Sequence, residues 1–120
     1  MQSITIKTPE KENITLYKET DGLWYCPVCG SLELKLQPRT EEGGSFEMCS
    51  CGFEFGFDDE PAASAQAVRG VVSNWDRWRQ MLILKFRHQP EELNQLRLQL
   101  AKIGCESAST SPYTHRTNGG

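Results

Sequence analysis

Histidine is almost missing from this 120-residue chain: there are two, His88 and His115, and neither lies in an H-E-x-x-H or H-x-E motif. Catalytic zinc sites keep one position open for water and draw histidine among their three protein ligands, so that chemistry is excluded. A glycine-rich phosphate loop and a serine-elbow motif are also lacking, and the expectation is a protein that is not an enzyme. No apolar run approaches the roughly 20 residues of a membrane-spanning helix, and Met1-Gln2-Ser3-Ile4-Thr5-Ile6-Lys7 has no signal-peptide core. The expected location is therefore the cytoplasm, with no membrane partner. Thiols stay reduced there, so the five cysteines favour metal binding over disulfides.

Four of those cysteines fall into two tight clusters, Cys26-Pro27-Val28-Cys29-Gly30 and Cys49-Ser50-Cys51-Gly52, each closed by glycine. In a C-x2-C turn two sulfurs converge on one point, and the following glycine lets the chain fold back under them. Nineteen residues separate Cys29 from Cys49, a spacing that suits the two halves of a four-thiolate zinc site. The expected metal ligands are Cys26, Cys29, Cys49 and Cys51, with Zn2+ as cofactor. Cys49-x-Cys51 is one residue shorter than the usual knuckle, which leaves open whether it supplies both remaining ligands. Cys26-Pro27-Val28-Cys29-Gly30 also looks like half of a rubredoxin iron site, so iron stays the alternative metal. Cys105 is the odd thiol, and His88 is a remote substitute ligand.

Around the cysteines the fold class reads as α+β: a small zinc-ribbon-like β-module followed by two helices and a disordered C-terminal tail. Residues 1–22 form an arm or hairpin, carrying the short β-branched runs Ile4-Thr5-Ile6 and Ile14-Thr15-Leu16-Tyr17. The ribbon covers 23–58. Leu32-Glu33-Leu34-Lys35-Leu36 and Phe53-Glu54-Phe55-Gly56-Phe57 alternate with period two and read as its strands, with Phe46-Glu47-Met48 as a third. An exposed loop over Pro38 to Ser45 lies between them. Trp24, Tyr25, Phe53, Phe55 and Phe57 make the expected aromatic core.

A helical pair fills 59–104. Asp58-Asp59-Glu60-Pro61 carries acids before a proline, a helix start. Val68, Val71, Val72, Trp75, Trp78, Leu82 and Phe86 then line one face, and Arg69, Asp76, Arg77, Arg79 and Gln80 the other. The tryptophans should face the ribbon and the arginines meet its carboxylates. A second helix starts at Pro90-Glu91-Glu92 and ends before Gly104. Its Leu93, Leu96, Leu98, Leu100 and Ile103 exceed what one buried face needs, which points to a homodimer through the helices. Residues 105–120 are polar and aperiodic, the expected tail.

Charge divides the chain. Residues 1–67 hold five Lys/Arg against twelve Asp/Glu, and residues 68–120 hold eight against four, so the halves attract. The knuckles are ringed by Glu33, Glu47, Glu54, Asp58, Asp59 and Glu60, which disfavours nucleic acid as a partner. Asp58, Asp59 and Glu60 are candidates either to cap the helix or to face a protein partner.

The run Tyr25-Cys26-Pro27-Val28-Cys29-Gly30, then Cys49-Ser50-Cys51-Gly52-Phe53-Glu54-Phe55-Gly56-Phe57-Asp58-Asp59, then Trp75 and Trp78-Arg79, resembles the small cysteine-rich CPCC-type proteins of bacteria. It covers about residues 23–80. The family has a longer cysteine cluster at the second knuckle. The resemblance implies a zinc-binding β-module with a following helix and, through similar small acidic proteins beside polymorphic toxins, an immunity protein that neutralises a cognate toxin by protein–protein binding. The alternative function is a nucleic-acid-binding or transcription-associated ribbon using Arg69, Arg77, Arg79, Lys85 and Arg87.

Overall fold

The computed structural model describes residues 1–105, and the expected disordered tail lies outside them beyond Cys105. Antiparallel strands precede two helices, an α+β fold. Strands β1 (Gln2–Lys7), β2 (Asn13–Lys18), β3 (Trp24–Tyr25) and β4 (Leu32–Leu34) form an antiparallel sheet in chain order. The β1–β2 register sets Ile4 opposite Leu16 and Ile6 opposite Ile14, and puts Thr5 opposite Thr15. This is period two at work: Ile14 and Leu16 are buried, while the two threonine hydroxyls join at 3.1 Å on the other face. Two-residue strands β5 (Arg39–Thr40) and β6 (Gly43–Gly44) make a small hairpin of the segment expected to be an exposed loop, with Pro38 and Arg39 buried.

Past β4 the expected ribbon strands are mostly absent among the described residues. Met48 pairs with Glu54 in an isolated bridge, and Phe55 to Asp59 is a series of turns. The cause is local. Glu54 N–H donates to Asp58 Oδ2 (2.8 Å) and Gly56 N–H to Asp59 Oδ1 (2.7 Å), so carboxylates take donors a ladder would need. Phe53 and Phe55 are fully buried as expected, whereas Phe57 is exposed.

Helices α1 (Val71–Lys85) and α2 (Pro90–Lys102) follow. The second begins and ends where its sequence signals lie. The first starts ten residues after Pro61, because its N-terminus is capped from far away. Glu12, in the turn between β1 and β2, accepts from Val71 N–H (2.9 Å) and Val72 N–H (3.2 Å), while Asn74 ties down Val68 through paired bonds of 2.7 and 2.6 Å. A carboxylate on the first free amides of a helix satisfies donors and complements the dipole.

Both helices rest on the cysteine knuckles. Phe53 meets Trp78 edge-on at 5.2 Å and Phe55 meets Trp75 at 6.0 Å, so the tryptophans do face the ribbon. From α2, Leu96 and Leu100 enter the core, and the helix backbone crosses Gly30 so closely that a Cβ there would sit 2.3 Å from the Gln99 carbonyl oxygen. Gly30 also has φ 83°, so only glycine serves that position without strain.

Candidate metal centre

The four knuckle sulfurs, of Cys26, Cys29, Cys49 and Cys51, lie within 4.8 Å of one another, with Cys29 Sγ and Cys49 Sγ at 3.6 Å. A tetrahedral ion with metal–sulfur bonds of about 2.3 Å has an edge of about 3.8 Å, so the cluster could hold a metal ion after small movements. Cys26, Cys29 and Cys49 are buried and Cys51 is half-buried. Cys105 is half-buried against the core and His88 is exposed, and neither joins the four sulfurs.

The second knuckle reaches the same point as the first with one residue fewer. In the first, Gly30 N–H donates to Cys26 O at 2.7 Å and Cys26 N–H to Ser31 O at 2.8 Å. In the second, Gly52 N–H donates to Cys49 O at 2.8 Å and Cys49 N–H to Phe53 O at 3.0 Å. Each loop therefore closes through an equivalent bond pair, with every span shortened by one residue. Gly52, at φ 94°, makes the tighter turn.

Protons are shared unevenly among the thiols. Burial pushes Cys26 well up, while hydrogen bonds from Cys26, Cys49 and Cys51 pull Cys29 far down. Cys49 falls to about 6, chiefly through its bond with Cys26. Cys51 is pulled down by Cys26 but pushed up more by Cys29 and Cys49, and it ends raised. Cys51 N–H also points at Cys49 Sγ, at 3.5 Å. Two of the four thiols thus give up their protons more readily than a free cysteine, and thiolate is the form that binds metal.

Contrary to the sequence expectation, Arg79 is not on a polar face. It is buried, and its guanidinium donates to Val28 O (3.1 Å) and Pro27 O (2.5 Å), with Asp76 beside it at 3.3 Å. The first knuckle offers carbonyls, not carboxylates, and a planar five-donor head can satisfy two at once. Trp78 does the same for the second knuckle, its indole N–H donating to Cys51 O at 3.2 Å. Arg77 donates to Gln66 O and meets no ribbon carboxylate.

Asp59 is also corrected. Expected either to cap the helix or to face a partner, it is buried and accepts from Gly56 N–H and Trp75 Nε1 (3.0 Å), with Arg39 at 4.0 Å. It is unavailable to a partner. Asp58 and Glu60 are half-buried, and the capping assigned to this cluster falls to Glu12 instead.

Sequence reasoning placed the sulfurs but missed the side chains bracing them. Glu33 accepts hydrogen bonds from Ser31 on one knuckle and Ser50 on the other. The only signal was two serines adjoining the cysteine motifs. A groove of about 410 Å³ opens beside the centre, lined by Cys29, Cys51, Leu82, Phe86, Glu92 and Leu96 among others, so the thiol cluster is reachable from one side.

No family model, curated protein or solved structure matches this chain.

Proposed function

We propose that this is a zinc-binding protein in which the ion fixes the fold and the activity is protein binding, not catalysis. The observation that carries the metal reading is the convergence of four mostly buried sulfurs within 4.8 Å in a chain whose two helices both rest on the loops holding them. Cys26, Cys29, Cys49 and Cys51 would hold the ion. Zinc suits unequal knuckles because its filled d-shell imposes no geometric preference of its own. Four thiolates fill a tetrahedron and leave no place for a reacting water, which supports a structural role.

The partner reading rests on surface chemistry and on the resemblance to CPCC-type proteins. Phe46 and Met48 are largely exposed, and Glu42 and Glu60 line the same depression as Phe46, a mixed apolar and acidic surface. A cognate toxin bound in the cytoplasm is the concrete form of the proposal. Among the described residues no helix is long and apolar enough to cross a membrane. Nucleic-acid binding is disfavoured by the burial of Arg79, one of the five basic residues it needs. Of the apolar residues that suggest a homodimer, Leu96, Leu100 and Ile103 lie in the core, and Leu98 is left exposed where a second chain could cover it.

Native mass spectrometry of protein purified without added metal tests the metal half directly. One zinc per chain, lost in Cys26→Ser and Cys51→Ser together with the fold, is expected; a folded metal-free chain defeats the proposal. The partner half is tested by calorimetry against the product of a toxin gene immediately upstream, where tight one-to-one binding is expected and none would overturn it.

A further inference from the structure

Glu33 lies in β4, just beyond the first knuckle, and its carboxylate reaches across to the second. Oε1 accepts Ser50 N–H at 3.0 Å, and Oε2 accepts the hydroxyls of Ser50 (2.6 Å) and Ser31 (2.6 Å). The Ser31 oxygen lies 3.3 Å from Cys29 Sγ and 3.4 Å from Cys49 Sγ. One half-buried carboxylate therefore holds the middle residue of the Cys49-x-Cys51 turn and the serine that follows the first knuckle, and so ties the two loops together. With a single residue between its cysteines, the Ser50 N–H binds Glu33 and not a sulfur.

We infer that Glu33 is the positioning residue that closes the two unequal knuckles onto one metal ion, an inference that rests on the metal reading. Partners in this outer layer typically change metal affinity about 10–100-fold when removed, without touching the ion. Glu47 provides the control. Its carboxylate also spans segments, accepting Lys35 N–H (2.9 Å) and Leu36 N–H (3.0 Å), but it contacts no knuckle residue in those bonds.

The test compares wild type, Glu33→Ala, Glu33→Gln, Ser50→Ala and Glu47→Ala loaded with Co2+, following the d–d absorption bands and the rate of metal transfer to a chromogenic chelator. Glu33→Ala should release metal about 10–100-fold faster and displace the bands. Glu33→Gln, which keeps an acceptor for Ser50 N–H, should fall between it and wild type, so a misfolded alanine variant leaves the question decidable. Ser50→Ala should add little on top of Glu33→Ala. Glu47→Ala should lower thermal stability while leaving bands and release rate unchanged. Equal release from the Glu33 and Glu47 variants would overturn the inference while the metal reading stands. A wild-type chain taking up no Co2+ overturns both.

Discussion

Arg79 donates its Nε–H to the carbonyl of Val28, 51 positions away, and through the same guanidinium it holds Pro27. A charged donor sealed against two carbonyls leaves both unsatisfied if it is removed, and such bonds are worth about 1.5–3 kcal/mol each. Arg79→Met should therefore lower the unfolding free energy by about 3–6 kcal/mol by urea titration. Arg77→Met, at an exposed position, should change it by less than about 0.5 kcal/mol. Equal losses would mean that the knuckle contact contributes nothing.

Proton release on metal uptake follows from the uneven thiols. Cys29 and Cys49 are pulled down by hydrogen bonds from their neighbours, whereas burial pushes Cys26 up and Cys29 and Cys49 push Cys51 up. Zinc added to the metal-free protein near pH 7.5 should displace fewer than four protons per chain, measured with an indicator dye in weak buffer. The sign on acidification is fixed. Cys49 binds a proton as pH falls through about 6, that proton must then leave too, and metal affinity declines more steeply below that point. Release of four protons at pH 7.5 would contradict the assignment.

Glu12 should govern the first turn of α1. Glu12→Ala removes the acceptor for Val71 and Val72 N–H and should cost about 1 kcal/mol, in the range of lost helix caps. Hydrogen exchange should quicken at Val71 and Val72 while the interior of α2 keeps its protection. Uniform acceleration through both helices would show that the loss is global.

These side chains mark where the sequence was legible. Spacing alone placed Cys26, Cys29, Cys49 and Cys51 together, because a turn brings near neighbours to one point. Pro90 and Gly104 bounded α2 for the same local reason. The start of α1 was hidden, since its cap arrives from Glu12 and Asp59 turns inward to serve Gly56 and Trp75. Periodicity assigned Arg79 to the polar face, to meet carboxylates, because it registers charge and not the carbonyls waiting at Pro27 and Val28. Glu33 looked like one more acid near a knuckle, and its reach to Ser50 depends on how β4 passes the second turn.

Gly30 under the Gln99 backbone, Cys51 under Trp78 and Val28 under Arg79 seat both helices on the two loops that would grip the ion. On the zinc proposal, a newly made chain that fails to acquire its ion would present loosened helices to proteases. Its lifetime would then follow the metal supply, and the amount of working protein would decline in starvation without any change in synthesis.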